Sequence, residues 1–343
     1  MHDFLELWSC GGPIVVTGVE KRLQGCWAPN DFISDYRDQK VTVIDYTDAT
    51  EARHRQTVGE FFSYLSTPTI GGRALKLKDW PPQKSFKEAF PDLYDAFCTG
   101  VPCPDLACPN GILNLASHFP KNCVPPDLGM SCLLAQSRET TPYPSLGPKM
   151  YIAVAAPPNR GTTNLHMDVT DACNLMAWST RPDSPGAVWD IFRAQDANIL
   201  RQFMREQYNL TASQDPIHTQ SFFLTDEALG RLRDKYNVRA WRIYQRVGEV
   251  IYIPAGCAHQ VRNVENAIKV ACDFVSAGNL STTESLVSEL RARRLLERGD
   301  DVLQLYTLLW YAWCSVSAEV ALIQEDSMMF LPRALNHAHP ECF

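Results

Sequence analysis

Apolar residues recur in this chain at two periods, one of two residues and one close to 3.6. Strand-like runs open it: "GGPIVVTGV" (11–19) and "QKVTVIDYTD" (39–48) set short apolar stretches between polar turns. Within 49–67, Val58, Phe61, Phe62 and Leu65 stand at i, i+3, i+4 and i+7, which predicts a helix. "LKLKDWPPQKSFKEAFPDLYDAF" (75–97) predicts a lysine-bearing strand, a Pro-Pro break and a short amphipathic helix. Proline, glycine and cysteine then dominate 99–147, a loop-rich connection. Strand patterns return at 149–156, 162–180, 186–192, 240–247, 249–256 and 267–276, separated by glycine-bearing turns. Many short strands of this kind predict a β-barrel or jelly roll. A helical insert occupies 194–235, with Ile199, Phe203 and Met204 on one side, and two or three helices follow over 281–320. The expected organisation is an α/β part at 1–147 and a barrel core at 148–280. Helices at 281–325 pack on that core, and a tail follows at 326–343.

Composition narrows the class. Of 343 residues 45% are hydrophobic and 21% charged, ordinary values for a globular protein able to bury a sizeable core. A net charge of -7 argues against a body that grips nucleic acid by itself. "MHDFLELWSCGG" carries acids where a secretory signal carries bases. The most apolar stretch, "LYTLLWYAWCSV" (305–316), is too short to span a bilayer and predicts a buried amphipathic helix. A soluble intracellular protein without membrane contact is expected, its twelve cysteines mostly reduced. Cys98, Cys103 and Cys108 follow a C-x4-C-x4-C spacing, with His118, Cys123 and Cys132 downstream. Zinc knuckles usually open with C-x2-C, so free thiols in a loop are expected over a zinc site.

The chemistry-bearing residues lie in two segments. In "TTNLHMDVTDACNLM" (162–176), His166 and Asp168 are two positions apart, so a strand there sends both side chains to one face. In "GEVIYIPAGCAHQVRNV" (248–264), Pro254-Ala255-Gly256 ends a strand and His259 follows. Two histidines and one carboxylate form the facial triad of non-haem Fe(II) oxygenases, leaving three metal positions for an organic co-substrate and O2. His-x-Asp alone recurs by chance; the second segment makes the pattern specific. Zinc is the chemical alternative, although hydrolytic zinc sites usually place two histidines on one helix as H-E-x-x-H, absent here.

"GTTNLHMDVTDACNLM", "YIPAGCAHQVRNVENAIKVACDFVS", "LKLKDWPP", "LNLAS", "PDLG" and "GPKMY" together resemble the JmjC-domain lysine demethylases. The most similar branch is the Hairless-like one, acting on mono- and dimethylated lysine nine of histone H3. The resemblance runs from "LWSCGGPIVVTGV" to about residue 280 and includes "DPIHTQSFFL" (215–224). It implies a mainly β fold with flanking helices: a double-stranded β-helix, or cupin-type jelly roll. It also implies Fe(II), 2-oxoglutarate and O2, with His166, Asp168 and His259 as the iron ligands.

Relatives place a threonine three residues before the first ligand, where Thr163 stands, to help hold 2-oxoglutarate. The lysine they carry seventeen residues after that ligand is Asp183 here, with Arg181 two residues earlier. Lys269, in the strand "IKVACDF", is the preferred substitute cation and Arg181 the alternative. The opposing reading of Lys269 is a strand-edge lysine facing water. Asn174 reaches the site if its strand stays regular, and Tyr151 either lines the pocket or sits in the core. Asp171, Trp178 and Tyr151 are candidates to contact a methylammonium group.

The implied partners are the histone H3 tail or another methylated-lysine protein, and chromatin complexes, in the nucleus. Hairless-like enzymes usually carry a cysteine-rich zinc-finger region ahead of this domain. This chain begins almost at the catalytic part, so another protein, or a longer gene product, is expected to supply targeting. Two other readings stand beside demethylation: a JmjC hydroxylase of protein side chains, and a chromatin-associated scaffold with weak or no catalysis.

Overall fold

The protein was studied as a computed structural model, which describes residues 1–47, 51–67, 72–82, 84–119, 146–297, 301 and 303–335. Twelve strands build it: β1 (Ile14–Val16), β2 (Lys40–Asp45), β3 (Ala52–Thr57), β4 (Leu75–Trp80), β5 (Lys149–Ala153), β6 (Thr163–His166), β7 (Asp171–Ser179), β8 (Ala187–Ile191), β9 (Trp241–Gln245), β10 (Val250–Ile253), β11 (His259–Asn263) and β12 (Ala267–Phe274). Eight form one sheet in the order β1-β10-β7-β12-β5-β4-β2-β3, and four form another, β6-β11-β8-β9. Every printed pairing is antiparallel.

From β5 onward the chain alternates between the sheets, so β5, β12, β7 and β10 oppose β6, β11, β8 and β9. That winding is a double-stranded β-helix, the jelly roll expected from the pattern. Among the described residues no ladder joins the two sheets into a closed barrel. β4 pairs with β5 through Lys76↔Ala153, so the amino-terminal strands extend the larger sheet across position 147.

Local patterning explains most elements. Val58, Phe61, Phe62 and Leu65 are wholly buried on helix Val58–Leu65, each contributing about 1.5–3 kcal/mol of gross burial. Thr57 and Glu60 close that helix with a capping box: Glu60 N–H donates to Thr57 Oγ1 at 3.1 Å, and Thr57 N–H to Glu60 Oε2 at 2.7 Å. The residues before it, 52–57, form β3, a strand that the helical reading of 49–67 passed over.

Three further expectations change. The run 162–180 is two strands, because the chain leaves the small sheet after His166 and enters the large one at Asp171. In helix Ala197–Tyr208 the buried stripe is Leu200, Phe203 and Met204, while Ile199 lies on the solvent side. The last helix, Leu305–Leu335, runs past 325 and is only half covered. Leu305, Leu308 and Ala312 are buried, whereas Trp310 and Trp313 are 60% and 70% exposed. Among the described residues no helix is long and apolar enough to cross a membrane.

Candidate active site

His166 ends β6 and His259 begins β11, and the two are cross-strand partners with ring centroids 4.2 Å apart. Asp168 lies just beyond β6 rather than on it. Its Oδ1 is 3.7 Å from His166 Nε2 and its Oδ2 is 3.7 Å from His259 Nε2. One ligand atom from each of the three falls within 4.8 Å of the others, the reach of a single ion.

Both imidazoles are oriented from behind. His166 Nδ1 is 2.9 Å from the Asn164 carbonyl and His259 Nδ1 is 3.0 Å from the Cys257 carbonyl. A carbonyl only accepts, so each Nδ1 carries the hydrogen and each Nε2 lone pair is turned to the pocket. Burial first, then the neighbouring His259, holds the His166 imidazolium down to about 4, so the ring is neutral near pH 7.

The turn between β10 and β11 fixes this geometry. Gly256 adopts φ +78° and donates its N–H to the Asp168 carbonyl at 3.1 Å. A Cβ there would come within 2.8 Å of Thr282 Cγ2, so both the backbone and the space require glycine. Asp171 ties the same turn down, accepting from Ala255 N–H at 2.8 Å, Ser276 Oγ–H at 2.5 Å and Asn279 Nδ2 at 2.8 Å. It is therefore a buried clamp that does not line the pocket, and Trp178 packs against the core instead of reaching it. Neither is placed to meet a methylammonium group.

The pocket beside the two histidines encloses about 680 Å³ including its open mouth, within the range of small-molecule sites. Two buried lysines face it. Lys76 Nζ donates to Thr163 Oγ1 at 2.6 Å, and Lys269 Nζ donates to Asn263 Oδ1 at 3.0 Å while lying 5.1 Å from the Trp189 ring centroid. Among the described residues neither forms an ion pair. Burial lowers both ammonium groups to about 7, helped by Lys78 for Lys76 and by Lys76 for Lys269. Buried cations without counter-ions are costly unless an anion joins them.

Lys269 thus points inward, not to water. Arg181 pairs with Glu265 and Asp183 is exposed; neither lines the pocket. Lys76 escaped the sequence reading, although it stands between Leu75 and Leu77 in an apolar strand. The argument that selected Lys269 would have selected it too.

Asn174, on β7, keeps strand geometry and pairs with Ala271. It lines the pocket while its Oδ1, buried, has no hydrogen-bond partner. Tyr151 also lines it, donating its hydroxyl to Asp79 Oδ1 at 2.9 Å, and burial then Asp79 raise its pKa well above the usual phenol value. Asp273 completes this wall, its carboxyl pushed well up by burial, then by Asp168 and Asp79. Neutral nitrogen donors with one carboxylate fit a divalent metal of N/O preference. The paired lysines and the orphaned Asn174 oxygen fit an anionic, hydrogen-bonding co-substrate beside it.

Two other clusters were open questions. Asp215, His218 and Glu289 also come within reach of one ion. Arg201 already fills that point, 2.9 Å from Asp215 Oδ2, 2.6 Å from Glu289 Oε1 and 3.2 Å from His218 Nε2. This cluster, in the "DPIHTQSFFL" segment, joins the helical insert to helix Leu280–Glu297. Among the described residues Cys98, Cys103 and Cys108 form no group of converging ligands. Cys108 Sγ instead donates to the Cys98 carbonyl at 3.7 Å. Cys123 and Cys132 lie outside the described residues.

Comparison with known proteins agrees with this geometry. Residues 154–274 match the family described as JmjC domain, hydroxylase. The chain is 32% identical over 357 residues to Lysine-specific demethylase 3 of Drosophila melanogaster, covering 90% of this chain and 40% of that protein. It is 32% identical over 376 residues to human Lysine-specific demethylase 3A, covering 95% and 27%. It is 29% identical over 354 residues to human Probable JmjC domain-containing histone demethylation protein 2C, covering 90% and 13%. The chain spans less than half the length of each of these relatives. Residues 154–274, which carry the His166, Asp168 and His259 constellation between two jelly-roll sheets, are a JmjC domain.

Proposed function

We propose that this chain is an Fe(II)- and 2-oxoglutarate-dependent dioxygenase that removes methyl groups from histone lysine. Mono- and dimethylated lysine nine of histone H3 are its substrates, and it acts in the nucleus with chromatin complexes. The observation that carries the reading is the meeting of two Nε2 atoms and one carboxylate at a pocket holding two lysines without counter-ions.

His166, Asp168 and His259 would hold the metal. Thr163 and Lys76 would hold the distal carboxylate of 2-oxoglutarate, with Lys269 supplying the second cation that its charge requires. Asn174 and Tyr151 would bound the remaining length of the co-substrate. With iron, 2-oxoglutarate and O2 bound, one oxygen atom enters succinate as CO2 leaves, and the other enters a methyl C–H bond whose carbon departs as formaldehyde. The protein's share is to orient these groups and exclude water. Its neutral imidazoles keep their lone pairs for the metal, and its Tyr151 phenol stays protonated.

The test is mass spectrometry of mono-, di- and trimethylated histone H3 peptides incubated with Fe(II), 2-oxoglutarate and ascorbate. Loss of a methylene mass that disappears in His166→Ala supports demethylation. Gain of one oxygen mass without methyl loss assigns the chain to the side-chain hydroxylases, a reading favoured by the description of its matched family. No iron uptake, with succinate at the enzyme-free level, leaves a scaffold.

A further inference from the structure

Lys269, Ala271 and Asp273 alternate along β12, and all three line the pocket, so one face of one strand carries a lysine at one end and a carboxylate at the other. Four residues of strand separate them by about 13 Å. Lys269 lies at the end occupied by Asn263 and Trp189. Asp273 lies at the other end, where its cross-strand partner is Ala172, also a lining residue. The pocket is thus polarised, cationic where an anionic co-substrate is held and anionic where a cationic side chain would enter.

Two acceptors on this wall lack donors from the protein. Among the described residues the Asp273 carboxylate accepts no hydrogen bond and forms no ion pair, although its backbone N–H donates to the Leu146 carbonyl. Asn174 Oδ1, on the neighbouring strand, is buried and unpartnered. What such acceptors lack is a charged N–H donor, and an ammonium group supplies one.

We infer that Asp273 reads the methylation state of the substrate lysine, accepting an N–H from its mono- or dimethylammonium. This rests on the demethylase reading above. A monomethylammonium offers two N–H groups, a dimethylammonium one and a trimethylammonium none. The first two therefore form a charge-assisted hydrogen bond with Asp273, while the third offers only its charge and leaves the carboxylate unsatisfied. Such a bond contributes about 1.5–3 kcal/mol, a preference of roughly ten- to a hundred-fold for the lower methylation states.

The experiment is isothermal titration of the protein with short histone H3 peptides carrying mono-, di- or trimethylated lysine nine, alongside demethylation of the same peptides. In the native protein the dimethylated peptide should bind at least about ten-fold tighter than the trimethylated one. Asp273→Ala should bring that ratio to within about two-fold, chiefly through weaker dimethyl-lysine binding. Asp273→Asn keeps an oxygen acceptor without the charge and should fall between the two, and its unfolding temperature reports whether the wall is intact. A ratio that is the same in Asp273→Ala as in the native protein overturns the inference while leaving demethylation standing. Peptides that neither bind nor lose methyl groups overturn both.

Discussion

Lys76 and Lys269, on the two strands that flank β5, face one pocket with no carboxylate between them. Burial holds both near 7 in the folded chain against 10.5 for an ordinary lysine. Between those values the unfolded chain binds more protons than the folded one, so the ligand-free protein should gain stability as pH rises from about 7 to 10. The limiting slope is about 1.4 kcal/mol per pH unit for each lysine. Urea unfolding across that window checks it, with the Lys76→Met, Lys269→Met double variant as reference. A wild-type slope no steeper than the double variant's would refute the assignment.

The same lysines predict a contrary dependence for the co-substrate. A dicarboxylate needs both ammonium groups protonated, so 2-oxoglutarate affinity should fall as pH rises above about 7, with proton uptake on binding. Lys76→Met should weaken binding by roughly ten- to a hundred-fold, the worth of a charge-assisted hydrogen bond. Thr163→Val removes a neutral partner of Lys76 and should cost only a few-fold. Calorimetry in buffers of different ionisation enthalpy measures affinity and proton uptake together.

Gly256 offers a test of the turn that sets Asp168 and His259. Gly256→Ala forces a side chain into positive φ and against Thr282, and should destabilise by about 1–3 kcal/mol. Because Gly256 N–H holds the Asp168 carbonyl, iron content per chain should drop as well. Unfolding curves and metal analysis separate the two effects. Full iron content at reduced stability would show that the turn only supports the fold.

Arg201 is buried and joined to Asp215, His218 and Glu289. Arg201→Met leaves buried acceptors unpaired and should cost about 3 kcal/mol, the low end for a broken buried pair because Glu289 is half exposed. Asp215 is held below the usual carboxylate range; burial opposes this, while the His218 backbone N–H and the Arg201 charge outweigh it. Its share of stability is therefore full above the unfolded carboxylate pKa and is lost as pH falls through the depressed one. Acid unfolding of wild type and variant should converge at low pH.

Trp310 and Trp313 project from the last helix into solvent. Trp310→Ser and Trp313→Ser should each change stability by no more than about 0.5 kcal/mol, as exposed positions do. A loss several times larger would show that this face is covered. Denaturant titration decides.

Much of the site was legible in the sequence because its constraints are local. Period-two spacing, a proline–glycine stop and one histidine on each side of it identified His166, Asp168 and His259 before any coordinates. Alternation also predicted most strands of the jelly roll, and a lysine within an apolar strand was reason enough to choose Lys269.

Tertiary structure decided what depends on which strand lies beside which. The sequence placed His166 and Asp168 on one strand face, yet Asp168 lies past the strand end, brought back by Gly256 and the crossing between sheets. It offered Arg181, which Glu265 captures, and overlooked Lys76, which reaches Thr163 across eighty-seven positions of chain. Periodicity tells a residue which way to face on its own element. Only the register between elements determines which distant side chain it meets there.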